Sequence, residues 1–572
     1  MKKILRAILP MLLCTSLIVP SGISSKVNAV TNDTTKRIVS YFPNWAYYDE
    51  IMGNCKVENI AWDKVTHINH GFWEISKDYK IQTTDAWADF QDTEKMTHGD
   101  KADWEKYPST GIGGNLLAGH FGEYRYYKKL YPNVKILISV GGWTRSEMFH
   151  EVAKDTKKVD TLAQSMVDTL KKYPFIDGID IDWEYPGITR APETFEGSTD
   201  RGAIGGPEDK ENFTRLLKMV REKFDASNMK DKMLTVAVSA GEEKINLTEP
   251  DKYQQYVDYI GVMTYDFAGT WDNVTGNLAG LYGNPADTTR PKFNMDDAMK
   301  IYRDKYKVPA NKLLAGTPLY SRGWGGVEPG PNGDGLYQKA TGGFKGEPQY
   351  GGSTEGGGQY EWWGIKNYLE KAGSGWTKYR DPIARTPYLY NASKKQFITY
   401  EDETSLKERC NYINNNNYGG LIVWDASGDD FKNGAPMHTI MNNGLIKGQK
   451  FPEEEFEKED VNRDRVIDIR DIALIGDKYN TLKGETNYVA ACDVNSDSIV
   501  DIYDIVAVSR KLVPEVPKPD PEPKPDPNDT FELGKIYVGG DTVIYKGVKY
   551  RAKWWTQNVT PDTIDSAWEK VA

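Results

Sequence analysis

Three carboxylates stand two residues apart in the run Asp177-Gly178-Ile179-Asp180-Ile181-Asp182-Trp183-Glu184-Tyr185-Pro186. On a β-strand, residues i, i+2 and i+4 share a face, so Asp180, Asp182 and Glu184 point the same way. Carboxylates this close cannot all ionise freely on a buried face. At least one pKa must rise, and a proton is shared between neighbours. A general acid that works near neutral pH needs that arrangement.

The residues between the acids say what must hold them. Ile176, Ile179 and Ile181 are β-branched, and Gly178 and Pro186 bracket the run. The reading is a strand over Ile176–Glu184, with Ile179, Ile181 and Trp183 packed against a helix layer on its far face. Strand-like and helix-like stretches alternate through the first three-quarters of the chain, which points to an α/β parallel sheet. Eight strands are expected: Ile38–Phe42, Thr66–Phe72, Lys135–Gly141, Ile176–Glu184, Leu234–Ala240, Tyr259–Tyr265, Leu313–Tyr320 and Gly420–Trp424. Helices fit between them, among them Val159–Lys172, Lys210–Phe224 and Met295–Tyr306. Two connections are long enough to suggest function. One carries Trp87, Trp104 and Tyr107, and the other runs from Gly325 to about Tyr400.

The acidic run matches the D-G-x-D-x-D-x-E signature of family-18 glycoside hydrolases, and its W-E-Y-P ending resembles their chitinases. The likeness extends over about residues 35 to 445. It implies a TIM (β/α)8 barrel at residues 34–448, with a small α+β insertion at about 325–400 walling the substrate cleft. It also implies substrate-assisted retaining hydrolysis. Glu184 would protonate the leaving oxygen, the substrate's own acetamide would attack the anomeric carbon, and Asp182 would orient that acetamide. Asp180 would hold the shared proton before cleavage. No cofactor is implied for catalysis.

Other strand ends fit the same expectation, since barrel enzymes work at their C-terminal face. Met263-Thr-Tyr265-Asp266 resembles the family's M-x-Y-D, with Tyr265 donating to the acetamide and Asp266 holding the sugar. Trp424 would floor the cleft. Arg322, in Tyr320-Ser-Arg322-Gly-Trp324, would pair with an acid or reach substrate. Tyr41 and Trp45 on the first strand and Ser139-Val-Gly141-Gly142-Trp143 on the third complete the ring, with Tyr185 also expected at the substrate and the glycines letting backbone approach the sugar.

After residue 448 a repeat appears. Asp460, Asn462, Asp464, Asp468 and Asp471 recur 33 residues later as Asp493, Asn495, Asp497, Asp501 and Asp504. Oxygen ligands so spaced wrap a calcium ion, and each loop leads into a helix, Ile472–Tyr479 and Ile505–Leu512. Residues 458–513 resemble a type I dockerin, which implies a cohesin-bearing scaffold protein as partner. A calcium-stabilised spacer is the alternative. The glycine usual at the sixth loop position is replaced by Arg465 and Ser498, which must then accept a left-handed turn. Residues 514–530 form a stiff Pro-rich linker. Residues 531–572 resemble chitin-binding modules with an A-K-W-W-T motif. Trp554, Trp555 and Tyr537 are its expected sugar contacts, and at least one of the adjacent Trp pair should face out.

A net charge of −11 argues against nucleic acid or an anionic membrane as partner. Residues 1–29 read as a signal peptide, with Lys2 and Lys3, an apolar run from Ile8 to Val19, and a Val27-Asn28-Ala29 cleavage site. The mature chain is expected outside the cell. Its three spaced cysteines, Cys55, Cys410 and Cys492, make no disulfide framework. Zinc, nucleotide and serine-hydrolase motifs are missing. The leading expectation is a secreted chitinase acting on chitin or N-acetylglucosamine oligomers. The alternatives are an endo-β-N-acetylglucosaminidase on glycoproteins and a non-catalytic chitin-binding lectin.

Overall fold

The computed structural model describes residues 36–92, 117–194, 198–452, 457–461, 467–485, 487–512, 530–563 and 567–571. The signal peptide, Trp104, Tyr107, Asn462, Asp464, Arg465 and most of the linker lie outside the described residues. The chain divides into two compact units, residues 1–454 and 455–572.

The first unit is a closed barrel of eight parallel strands: β1 (Arg37–Pro43), β2 (His67–Ile75), β3 (Lys135–Gly141), β4 (Gly178–Asp182), β5 (Met233–Ser239), β6 (Ile260–Met263), β7 (Leu313–Pro318) and β8 (Gly420–Trp424). Each pairs with the next, and β8 returns to β1 in the register Ile38↔Leu421. All eight expected strands are present. The fourth stops at Asp182, two residues short of the expected end. Trp183 still follows the alternation, turning away from the acids to stack on Phe149 at 5.4 Å.

Alternation within the strands divides the apolar residues between two cores. Ile138, Ile179, Ile181 and Val236 face out against helix residues such as Leu162 and Met166 of Thr156–Lys172 and Leu217 and Val220 of Asp209–Ala226. Asp155 starts the former helix by accepting the amide of Lys157. Val39, Tyr41, Phe72, Tyr259, Leu314 and Ile422 fill the barrel interior. Buried aliphatic surface in the outer layer, stabilising at about 25 cal/mol per Å², lets the inner face carry polar residues.

The insertion is a four-stranded antiparallel sheet, Thr377–Asp381, Thr386–Asn391, Gln396–Thr399 and Arg322–Gly325. It has its own core of Trp324, Val327, Tyr388, Tyr390 and Phe397. Its edge strand starts at Arg322. The sequence reading assigned Arg322 to the end of the seventh barrel strand, but that strand ends at Pro318. Trp324 is captured by the insertion's own core, which pulls its neighbours out of the barrel.

In the second unit, helices Ile469–Asp477 and Ile502–Leu512 pack around Val461, Ile475, Val494, Val500 and Val508. Both begin three residues earlier than expected. Asp468 and Asp501 act as their caps, accepting the amides of Arg470 and Tyr503. The C-terminal residues form five short strands around Phe531, Tyr537, Val543 and Trp568. Cys55, Cys410 and Cys492 are buried free thiols. No helix among the described residues is long and apolar enough to cross a membrane.

Candidate active site

Strand register assembles the centre. Asp180 on β4 lies opposite Ser139 on β3 and Thr235 on β5. All three side chains therefore point into the barrel together. Ser139 donates its hydroxyl to Asp180 Oδ2 at 2.8 Å, and Tyr41 of β1 donates to the same oxygen at 2.9 Å. Thr235 donates to Oδ1 at 2.5 Å. Burial lifts the Asp180 carboxyl, and these hydroxyls pull it back.

Asp182 has no such support. Burial, then the charges of Glu184 and Asp180, raise its carboxyl well above the ordinary range. Its Oδ1 is buried and meets no hydrogen-bond donor among the described residues. A carboxyl with one oxygen buried away from any donor and two acidic neighbours favours its neutral form. This hydrogen bonding favours the shared proton on Asp182, where the sequence reading assigned it to Asp180.

Glu184 sits half-buried beyond the strand end. Desolvation raises its pKa to about 7, with the Asp266 charge adding to the rise and Tyr185, Arg190 and Lys244 opposing it. Its amide donates to Ser146 Oγ at 2.9 Å, which fixes the backbone at the position of the acid. A carboxyl that titrates near 7 is protonated often enough at neutral pH to donate a proton.

Tyr265 and Trp424 are half-buried and Met263 is buried, and all three join the interior cluster. Burial first, then Asp182 and Glu184, hold the Tyr265 hydroxyl well above its usual range, so it remains a donor. Trp424 stacks on Phe72 with ring centroids 5.5 Å apart, and Tyr41 and Trp45 lie against it at 5.6 and 6.4 Å. Of the two options for Arg322, the pairing with an acid is the one observed. Its Nε and Nη2 each bond Asp266 at 3.0 Å, and Tyr320 adds a third donor at 2.8 Å. Trp143 is partly exposed, with the Arg190 guanidinium 3.9 Å over its ring. Lys244 lies 5.4 Å over the Tyr185 ring.

Close packing within the protein itself also requires glycine at positions 141 and 142. At Gly141 (φ +115°) a Cβ would come within 2.1 Å of the Asp182 carbonyl, and at Gly142 (φ +79°) within 2.7 Å of the Phe72 ring. Gly141 thus lets the end of β3 close on the acid-bearing strand, and Gly142 lets the following turn close on Phe72 of β2.

Several site residues were missed by sequence reasoning: the Thr235 clamp, Ser146, Phe72 and Tyr320. The signal for Thr235 was present, since polar residues at inward positions of neighbouring strands must meet once register is known. Phe72 lies on β2 next to a register shift between His70 and Trp73, and Ser146 and Tyr320 depend on loop conformation, which no periodicity encodes.

In the C-terminal residues, Trp554 and Trp555 are 55% and 59% exposed, while Tyr537 is 3% exposed. Both tryptophans face out because they occupy a bend between strands, where alternation does not apply. Tyr537 is therefore removed from the expected sugar contacts. Phe531 stacks on it at 5.6 Å and Trp568 closes on it at 5.0 Å, making it core.

In the second acidic loop, Asp493 accepts the amides of Asp497 and Ser498, and Asp504 accepts those of Asn495 and Asp501. Ser498 adopts φ +77°, the left-handed turn expected there. In the first, Asp460 and Asp471 are buried and Asp468 pairs with Arg470.

Residues 37–429 match the family described as glycosyl hydrolases family 18. Residues 458–513 match the dockerin type I domain, and 530–569 match carbohydrate-binding module family 5/12. The chain is 35% identical over 453 residues to chitinase A1 of Niallia circulans, covering 75% of this chain and 61% of that protein. It is 31% identical over 451 residues to chitinase ChiA of Flavobacterium johnsoniae, covering 69% of this chain and 27% of that one. It thus spans less than two-thirds of either relative. The solved structure of chitinase ChiA74 from Bacillus thuringiensis superposes with a TM-score of 0.60 at 30% identity, covering 73% of this chain and 71% of that one. The triad geometry and these likenesses agree: the chain belongs to glycosyl hydrolase family 18.

Proposed function

We propose that this chain is a secreted chitinase that cleaves β-1,4 links between N-acetylglucosamine units with retention of configuration. The observation that carries the reading is the graded triad: a hydroxyl-clamped Asp180, an Asp182 whose buried Oδ1 meets no donor among the described residues, and a Glu184 with a pKa of about 7. Glu184 protonates the leaving oxygen. Neutral Asp182 passes its proton toward Asp180 and, once charged, orients the acetamide and stabilises the positive ring. Tyr265 donates to the acetamide oxygen from the opposite side. Trp424, backed by Phe72, offers an apolar floor for the sugar face. Trp554 and Trp555 supply exposed rings for attachment to the polymer.

The residues of the second loop fit calcium. It carries oxygen ligands at the calcium-loop spacing, with left-handed Ser498 in place of glycine, and Asp493, Asn495, Asp497, Asp501 and Asp504 would hold the ion. Calcium would order the helix pair, and a cohesin-bearing scaffold is the partner such a module would engage outside the cell.

Hydrolysis of N-acetylchito-oligosaccharides against a high-mannose glycopeptide, side by side, tests the substrate. Turnover of the oligosaccharides supports the reading. Turnover of the glycopeptide alone replaces it with an endo-β-N-acetylglucosaminidase.

A further inference from the structure

The loop that follows the acid folds back on Trp143. Gly142, just past β3, donates its amide to the Asp182 carbonyl at 2.7 Å, and Ser146 accepts the Glu184 amide. Trp143 stands between them, on a helical turn tied on both sides to the acid-bearing segment. Arg190 places its guanidinium 3.9 Å over the indole ring and donates through Nη2 to the Trp143 carbonyl. Glu193 accepts the indole N–H at 2.9 Å. Buried Asp200 closes the circuit by pairing with both terminal nitrogens of Arg190 and accepting the Glu193 amide at 2.8 Å. The Gly202 amide holds Asp200 in turn at 3.0 Å. Arg145, on the same turn as Trp143, donates to the carbonyl and hydroxyl of Thr199 at 2.6 and 3.0 Å.

This circuit decides what Trp143 can offer a ligand. One face of the ring is covered by a guanidinium whose side chain is only 13% exposed, and the indole N–H is spent on Glu193. What remains is the exposed part of an apolar plate, presented in one orientation. An unrestrained surface indole samples several rotamers, and ordering it on binding costs affinity. The circuit orders it in advance. Arg190 itself has little left for substrate. Asp200, the Ala191 carbonyl and the Trp143 carbonyl take its terminal N–H groups, and its Nε is buried. Its influence on a bound sugar therefore passes through Trp143.

We propose that Arg190 is a positioning residue for the hydrolysis, holding Trp143 as a fixed stacking plate through its circuit with Asp200 and Glu193. The inference rests on the chitin reading, in which Trp143 meets substrate, and adds to it the residue that orients that ring.

The test uses the full chain as wild type, Trp143→Ala, Arg190→Met, Arg190→Lys, and each Arg190 substitution combined with Trp143→Ala. Values of kcat and KM are measured on a soluble N-acetylchito-oligosaccharide below pH 7, where Glu184 is protonated. Arg190→Met should raise KM about three- to tenfold and leave kcat within about twofold. Arg190→Lys keeps the charge but loses the flat, paired guanidinium, so it should raise KM as well. In the Trp143→Ala background neither Arg190 substitution should raise KM further, because the two residues act as one unit. An unchanged KM in Arg190→Met, a wild-type KM in Arg190→Lys, or effects that multiply with Trp143→Ala overturn the proposal. If the thermal midpoint shows that Arg190→Met does not fold, Arg190→Lys and its double variant decide. A wild-type chain inactive on the oligosaccharide would refute the chitin reading, a failure distinct from an active wild type whose KM ignores Arg190.

Discussion

Arg322 grips Asp266 through two parallel N–H···O bonds of 3.0 Å, tying the insertion's edge strand to the strand end that carries Tyr265. Bidentate guanidinium pairs fix position as well as charge. Through Asp266 the insertion also acts on the acid, because the Asp266 charge raises the Glu184 pKa.

Opposite substitutions should therefore move the alkaline limb in opposite directions. Activity needs protonated Glu184 and falls as pH rises through about 7. Asp266→Asn removes a charge that favours the protonated acid, so the limb should move to lower pH. Arg322→Ala bares that charge, so the limb should move to higher pH. Profiles of kcat/KM against pH for the two variants check this, and a shift of both in one direction contradicts it.

The hydroxyl clamp makes a prediction at the other limb. Tyr41→Phe or Ser139→Ala removes one donor from the Asp180 carboxylate, and each such bond is worth about 1.5–3 kcal/mol. Ionisation of Asp180 should become harder, so the acid limb should move to higher pH. An unmoved acid limb would separate Asp180 from the proton path.

The two kinds of aromatic in the C-terminal module should respond differently. Trp554→Ala and Trp555→Ala should each weaken retention on chitin about tenfold, from a stacking loss of ~1.4 kcal/mol, and leave the module folded. Tyr537→Ala empties core space and should cost about 3–5 kcal/mol, enough to unfold so small a unit. Pull-down on chitin with limited proteolysis of the same samples distinguishes the two outcomes.

Calcium at 100 times its Kd should stabilise the repeat module by about 2.7 kcal/mol. A chelator should lower the calorimetric transition of that module and leave the barrel transition in place. Asp504→Ala should abolish the calcium-dependent shift in its own loop.

Much of this was legible before any coordinates. The period-two run around Asp180 named both the strand and the acids, because a buried strand with one polar face can hold only one register. The eight strands follow from the same periodicity. What could not be read was anything set by contacts distant in sequence. The partner of Arg322 is 56 residues away. Thr235 meets Asp180 only once β5 is known to lie beside β4. Tyr537 resembled a sugar contact because a module of about 40 residues must use aromatics for core and surface alike, and type alone does not separate them. The proton's location depends on a count of donors around two neighbouring carboxyls, which the run Asp180-Ile181-Asp182 does not contain.

The central claim is that Glu184 delivers the proton while the substrate's acetamide attacks the anomeric carbon. Anomer-resolved analysis of the first products from an N-acetylchito-oligosaccharide, with wild type and Glu184→Gln side by side, tests it most directly. The account predicts β-anomeric, retained products from wild type and a rate lower by about 10²–10⁴-fold for Glu184→Gln. Inverted α-products, or an undiminished rate in Glu184→Gln, would contradict it.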